Sequence, residues 1–402
     1  MRIALFYHIP SGGAKRSIYE STKRLSTRHP IDVYTFTTAG HDFADIRPYA
    51  NEYQCFEYHF APLLGSPFGR FNQAIRLTDL RRMDQSSKRV AQIIESRSYD
   101  LAYVHPCQVT QSPMILQHLK EIPTVYYLQE PPRAIYEKRP VRPFYKNNGS
   151  WFRSFLNNID PLLLTYNSTM RRVDLDNTRS ANKVLVNSNF VSQVVKDIYK
   201  INPCLSYHGV DVEKFRIVPG EKRDMVLSVG SLTPLKGFDF LIKSIAHIPG
   251  KFRPPLVIAS NFQMPEEKKY LEEMALNLEV ELILLNNVTD EELVALYNST
   301  RLTVYAPIQE PFGLVSLESM ACGTPVVAVR EGGVQEAVIH EHTGLTAERD
   351  PAQFAEAIQS LLSQPELARQ YGQNGREQVL QNWTWDRAVE TLESHLLACA
   401  KD

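Results

Sequence analysis

Residues 310–329 read Glu310-Pro-Phe-Gly-Leu-Val-Ser-Leu-Glu318-Ser-Met-Ala-Cys-Gly-Thr-Pro-Val-Val-Ala-Val329. A short apolar run just before it, Leu302–Tyr305, predicts a strand. Gly313 lets the backbone turn tightly and come close to a ligand. Leu314–Cys322 reads as one short helix, stopped by Gly323 and Pro325. Val326–Val329 then reads as a buried strand. Two carboxylates eight positions apart thus flank a glycine turn and a helix start. Free N–H groups and the positive dipole end make a helix N-terminus a ready anion site. One acid before the turn and another inside the helix suit two hydroxyl-bearing parts of a single phosphorylated ligand. A sugar nucleotide, with its hexose, diphosphate and ribose, has that shape. Spacing alone would equally describe two solvated glutamates; the surrounding residues carry the weight.

The same rhythm extends in both directions. In the first half, Ile3–Tyr7, Asp32–Phe36, Leu101–Val104, Thr124–Leu128 and Lys183–Val186 read as strands, with helices over Lys15–Ser26, Arg89–Ser96 and Pro113–Leu119. In the second, Met225–Val229, Leu256–Ala259, Leu282–Leu285, Leu302–Tyr305 and Val326–Val329 alternate with helices over Phe238–Ile245, Glu266–Leu278, Asp290–Ser299 and Leu314–Ala321. Such alternation predicts an α/β protein of two Rossmann-like, doubly wound parallel-sheet lobes. The join is expected near Ile201–Tyr207, giving lobes over 1–203 and 204–382 and a last helix over 383–402.

Residues 131–172 break the pattern. Pro131, Pro132, Pro140 and Pro143 interrupt helices. Lys138, Arg139, Arg142, Lys146 and Arg153 are interleaved with Phe144, Tyr145, Trp151, Phe152 and Phe155. That mixture suits an anionic membrane interface or an acceptor groove. It also suits single-stranded nucleic acid, or an ordinary packed loop with solvated cations.

A chain of 402 residues with 43% hydrophobic and 22% charged residues fits a two-domain globular protein. The net charge of −1 hides an asymmetry. Residues 1–200 hold 27 Lys and Arg against 17 Asp and Glu; the remainder holds 17 against 28. A basic first half suits an anionic partner. No apolar run reaches the roughly 20 residues that span a bilayer, and Ile3–Tyr7 is too short for a signal-peptide core. Five scattered cysteines without a C-x-x-C pair fit reduced thiols and a cytoplasmic location.

Other pieces of a site lie at strand ends. Gly12-Gly13 follows the first strand, where main-chain amides can approach a phosphate; the spacing matches neither a dinucleotide fingerprint nor a Walker A loop. Gly230-Ser-Leu-Thr-Pro-Leu-Lys236-Gly237 follows the first strand of the second half and places Lys236 as a point charge for a phosphate oxygen. Glu331-Gly332-Gly333-Val-Gln-Glu336 follows Val326–Val329, its glycines permitting close ligand approach.

Together, Pro-Phe-Gly after Glu310 and Ala-Cys-Gly-Thr-Pro-Val-Val after Glu318 closely resemble the signature of retaining glycosyltransferases of family 4, two-lobed GT-B enzymes. His208-Gly209-Val210-Asp211 and Asn187-Ser188 resemble structural landmarks of that family, and Tyr126–Arg133 resembles a stretch of its mannosyltransferase-like members. The resemblance implies that the final helix crosses back onto the first lobe. It implies a nucleotide-sugar donor, a GDP- or UDP-hexose, bound mainly by the second lobe, and a glycan or lipid-linked acceptor on the first. It assigns Glu310 to the hexose and Glu318 to the ribose. Lys236, Gly12, Gly13, Ser231, Phe312, Gly313, Leu314 and Val315 fall to the donor diphosphate region, and Gln129 and Arg133 to the acceptor. No metal or other cofactor is expected, and nucleic acid is not an expected partner.

Two departures stand out. Ser231 occupies the place where many members carry arginine, and Gln129 stands for a histidine and cannot take a proton. They keep open an alternative, a glycosyltransferase-like protein that binds without transferring.

Overall fold

In the computed structural model, which describes residues 1–65, 68–138, 140–146 and 160–401, the chain divides into two units. The first holds residues 1–187, 191–207 and 388–402; the second holds 188–190 and 208–387.

The first unit is built on seven parallel strands: β1 (Ile3–His8), β2 (Ile31–Phe36), β3 (Glu52–Phe56), β4 (Leu101–Cys107), β5 (Thr124–Leu128), β6 (Lys183–Val186) and β7 (Cys204–Leu205). Their order is β3-β2-β1-β4-β5-β6-β7. β1, β2, β4 and β5 are buried along their whole length, because helices cover both faces of a parallel sheet. β3 is half exposed, which is why its sequence carries no buried-strand signal. Helix α1 (Gly13–Leu25) follows β1, and α2 (Asn72–Glu95) leads into β4. α2 begins far ahead of the expected Arg89, and Pro113–Leu119 forms only a 3₁₀ turn over Met114–Gln117. The unit boundary falls after Tyr207 instead of at 203/204, since Cys204–Leu205 pairs with β6.

The helix Trp385–Lys401 returns the chain to this unit from Ala388 onward. Val389, Leu392, Leu396 and Cys399, at helical spacing, join the core formed by Ile3, Leu5, Ile31 and Val33. Glu393 fixes the register by accepting from His29 at 2.6 Å and Arg28 at 2.8 Å.

The second unit carries β8 (Arg223–Val229), β9 (Leu256–Ser260), β10 (Leu282–Asn286), β11 (Thr300–Tyr305), β12 (Val326–Val329) and β13 (Gly344–Ala347), all parallel, in the order β10-β9-β8-β11-β12-β13. Its core joins Val226, Leu241, Leu256, Leu302, Val327 and Phe354. Gly209 admits the backbone of Trp385, where a side chain would overlap, and Val210 N donates to Trp383 O at 2.8 Å.

Of the basic and aromatic residues of the 131–172 segment, Arg139, Trp151, Phe152, Arg153 and Phe155 lie outside the described residues, as do the side chains of Tyr145 and Lys146. Arg142, expected on a solvated or membrane-facing surface, is buried. No helix among the described residues is long and apolar enough to cross a membrane.

Candidate active site

The second sheet reverses its direction of growth between β8 and β11. From β8 the chain runs outward through β9 to β10, then crosses back to β11 and on to β13. Loops leaving two such strands diverge and open a crevice beyond their carboxyl ends. The loops in question are Gly230–Gly237 and Ala306–Gly313, the two that carry Lys236 and Glu310.

Lys236 Nζ donates to Glu310 Oε2 at 2.8 Å, and both side chains remain partly open to solvent. Their loops are tied together. Ile308 N donates to Leu235 O at 2.8 Å. Gly237, at φ 67°, lies so close to Ala306 that a side chain would overlap its carbonyl oxygen. A third loop supports Glu310 from below: Gly333 N donates to Glu310 O at 2.8 Å. Side chains at Gly332 and Gly333 would overlap the main chain of Glu310 and Pro311. These two glycines therefore admit the protein's own backbone, not a ligand. Glu336, three residues on, is likewise committed, accepting from Asn189 N, Asn189 Nδ2 and Phe190 N at 2.9–3.0 Å.

Gly313, at φ 96°, opens the helix Leu314–Ala321. The amides of Leu314 and Val315 are first-turn groups with no intrahelical acceptor, and both residues are half exposed. They are available to an anion. Glu318 lies one turn further and is largely buried. Its Oε2 accepts from the fully buried Tyr297 hydroxyl at 3.0 Å. Tyr305, at the end of β11, is held far above the usual phenol range by burial and by the charges of Glu310 and Glu318. It stays a neutral phenol between the two carboxylates. Tyr297 was not reachable from sequence, because it sits in a separate element 21 residues from the acid it meets.

Phe312 is not a ligand-facing group. Its ring is buried against His208 and Trp383, with centroids 5.7 and 5.6 Å away. Burial there drives the His208 imidazole down to about 3. Ser231 is half buried and adds no cation. Arg349, which touches the Lys236 loop at Gly237, does not replace one. It forms a two-pronged pair with Glu331 at 2.6 and 2.9 Å and donates to Ala306 O and Pro307 O.

In the first unit the corresponding reversal lies between β1 and β4, and Gly12-Gly13 follows β1 there. Gly12 has φ 151°, a value that favours glycine, and a side chain on it would meet only open space. Gln129 is buried, its Oε1 accepting from Asn187 Nδ2 at 3.3 Å. Arg133 donates through Nε and Nη2 to Glu137 at 2.7 Å, so its charge is already matched. The D-x-D triplet Asp174-Leu-Asp176 offers no open acid pair, since Asp174 is buried beneath the hydroxyls of Tyr136 and Tyr199 at 2.8 Å.

Residues 210–378 match the family described as glycosyl transferases group 1. The second unit is a group 1 glycosyl transferase domain. Mouse alpha-1,3/1,6-mannosyltransferase ALG2 is 27% identical over 278 residues, covering 59% of this chain and 65% of that protein. The D-inositol 3-phosphate glycosyltransferase of Acidothermus cellulolyticus is 32% identical over 252 residues, 55% of each chain. The chain thus spans less than two thirds of these curated relatives. Over nearly the full length, its fold matches sucrose-phosphate synthase from Thermosynechococcus elongatus, with a TM-score of 0.75 at 21% identity and 99% of both chains covered. It also matches Anabaena HepE in complex with UDP and glucose, with a TM-score of 0.71 at 19% identity, covering 99% and 100%. The fold of both units is that of GT-B glycosyltransferases. The glycosyl transferase domain contains Glu310, Lys236, the Gly313 helix start and Glu318.

Proposed function

We propose that the protein is a retaining glycosyltransferase that moves a hexose from a GDP- or UDP-sugar to a glycan or lipid-linked acceptor. The observation that carries this reading is the placement of Lys236 and Glu310, 2.8 Å apart, on the two loops that flank the β8/β11 reversal, with free helix-start amides beside them. In this reading Lys236 and the amides of Leu314 and Val315 hold the diphosphate and stabilise it as it leaves. Glu310 stands by the hexose, orients its hydroxyls and opposes the positive charge that grows at the anomeric carbon. Glu318 binds the ribose hydroxyls, its orientation set by Tyr297. The bond from anomeric carbon to phosphate oxygen breaks, the acceptor oxygen bonds to that carbon, and the acceptor proton leaves with the diphosphate. No step calls for a metal.

The likeness to a mannosyltransferase and to the D-inositol 3-phosphate glycosyltransferases supports a hexosyl donor and a phosphorylated acceptor. Five cysteines, none of them in a disulfide, suit a cytoplasmic location. Peripheral contact with an anionic bilayer belongs to the same reading. Its support lies in Phe60, Leu63, Leu64, Phe68 and Phe71, all exposed, in a stretch from Tyr58 to Thr78 that holds no acidic residue. A catalytically silent binding protein is the second reading, and Ser231 is the observation that favours it. Thermal stabilisation by a panel of UDP-, GDP- and ADP-sugars tests the donor site, and hexose release from the stabilising sugar nucleotide tests transfer. A shift with one nucleotide and turnover is the expected result. A shift without turnover on any acceptor selects the silent protein, and no shift at all refutes both.

A further inference from the structure

Within the first unit, α2 and the helix Pro161–Arg179 flank a trough of about 480 Å³. Its floor is apolar and buried, made by Leu80 of α2 and Met114 of the 3₁₀ turn. Leu77 and Val173 carry that apolar strip up the two walls. Thr165, Thr169 and Val173 stand four residues apart, so one stripe of the second helix lines the space. These side chains are small and leave the gap between the helices unfilled. Opposite them α2 presents Arg81, Asp84 and Gln85.

The polar groups at the base are fixed. Gln117 Nε2 donates to Asn177 Oδ1 at 2.7 Å, and Asn177 Nδ2 donates to Ser112 O at 2.7 Å. Asp84 Oδ1 pairs with His118 Nε2 at 2.8 Å. The groups on the walls are uncommitted: Arg81, Gln85, Thr165 and Thr169 make no side-chain hydrogen bond among the described residues. One guanidinium and one carboxylate leave the trough without net charge, so it has no preference for an ion.

That lining matches a sugar. A sugar ring carries hydroxyls that donate and accept around its edge, and it has a face of C–H groups. Amide, hydroxyl, carboxylate and guanidinium groups on the walls meet the first. The strip of Leu77, Leu80 and Met114 meets the second. A hydrocarbon chain would leave the same polar groups buried and unpaired. The volume lies in the range of small-molecule sites. From Leu77 to Gln85 the wall is about 12 Å long at 1.5 Å per residue, room for more than one ring.

Position gives the trough a use. The helix Pro161–Arg179 also holds the short helix Arg133–Tyr136, through Tyr136 OH on Asp174 at 2.8 Å and Arg171 Nη2 on Ile135 O at 3.4 Å. One helix, about 10 Å across, therefore stands between the trough and Arg133, the proposed acceptor residue.

We propose that this trough is a saccharide-binding site that takes a neutral oligosaccharide and gives an extended glycan acceptor a second hold away from its reacting end. The use as an acceptor hold rests on the glycosyltransferase reading; the binding of sugar does not.

The test titrates the full chain with mannotriose, maltotriose, cellotriose and chitotriose, followed by saturation-transfer NMR and calorimetry. Wild type is expected to bind at least one of them with a millimolar or tighter dissociation constant. Gln85→Ala/Thr165→Ala, at exposed positions, should weaken that binding by about fivefold or more, the scale of two neutral hydrogen bonds. Thr169→Arg, which fills the trough, should abolish it, while both variants keep the melting temperature and the UDP or GDP affinity of wild type. No binding of any trisaccharide at millimolar concentration overturns the proposal, and so does binding that both variants retain. Nucleotide binding without trisaccharide binding leaves the donor reading standing and removes this site. Trisaccharide binding that Thr169→Arg abolishes, in a protein that binds no nucleotide, keeps the site and removes the donor reading.

Discussion

Glu318 offers the sharpest test of the donor site, because the proposed ribose contact shares its carboxylate with a buried hydrogen bond. Oε2 is engaged by Tyr297 at 3.0 Å, and the side chain is only 7% exposed. A ribose hydroxyl bonded to this carboxylate makes a charge-assisted hydrogen bond worth about 1.5–3 kcal/mol. At about 1.4 kcal/mol per factor of ten, one such bond is about 10- to 150-fold in affinity. Wild type should therefore prefer a nucleoside diphosphate over its 2′,3′-dideoxy analogue by at least that factor. Glu318→Ala alone is a poor probe, since it strands the Tyr297 hydroxyl in the core at a cost of about 1–3 kcal/mol. The double variant Tyr297→Phe/Glu318→Ala removes both members of that hydrogen bond. It should bind the ribo- and dideoxy-nucleotides equally, and should still bind pyrophosphate as wild type does. Isothermal calorimetry with the four nucleotide–protein pairs closes a thermodynamic cycle whose interaction energy is the ribose–carboxylate contact. Undiminished preference for the ribonucleotide in the double variant would show that Glu318 does not touch the ribose.

Glu310→Gln keeps the shape of the site and should lower transfer by about 10²-fold or more while nucleoside-diphosphate affinity moves by only a few-fold, measured by product formation at saturating donor; wild-type turnover would remove Glu310 from the chemistry. Replacing Phe60, Phe68 and Phe71 by serine should abolish co-flotation with liposomes that carry phosphatidylserine, and undiminished flotation would separate this surface from the membrane. Asp174 is expected to make stability fall with rising pH. Burial pushes its carboxyl up to about 6 despite the two tyrosine hydroxyls, so the unfolded chain ionises first. Between about pH 4 and pH 6 the folded state loses up to about 3 kcal/mol from this group. Asp174→Asn should flatten the dependence of the urea midpoint over that interval, and an unaltered slope would mean that Asp174 ionises normally.

What the sequence disclosed and what it withheld follow one physical line. Buried parallel strands announce themselves as apolar runs between helical segments, so β1, β5, β11 and β12 were legible almost to the residue. β3 has exposed and half-buried positions and lacks that mark. The early turns of α2 were missed because residues 72–76 offer little apolar periodicity; its buried positions begin at Asp79 and Leu80. Glu310, Lys236, Gly313 and Glu318 were legible because turn glycines and helix stops surround them within a few positions. Tyr297 was not, since a contact across elements leaves no local spacing. Gly332 and Gly333 were legible as constrained positions, but the cause is the Glu310 backbone beneath them.

Charge balance gives the site a consequence that its separate residues do not. Without donor, Lys236 and Glu310 neutralise each other; at 2.8 Å their gross attraction is about 6 kcal/mol at an effective dielectric of 20. Water and lost side-chain freedom offset most of that attraction in a half-exposed pair. A diphosphate carries more negative charge than one carboxylate, so on the proposed reading it draws Lys236 away. Glu310 is then uncovered beside the hexose, where positive charge grows as the diphosphate departs. The exchange also separates catalysis from idle binding. A nucleoside monophosphate competes for Lys236 with fewer charges and should leave more of the pair intact. A Lys236→Met variant should bind nucleoside diphosphate more weakly, yet it should leave Glu310 permanently uncovered. The pair therefore predicts that the variant's loss appears mainly in donor affinity and leaving-group departure, while Glu310→Gln spares the affinity and strikes the transfer step.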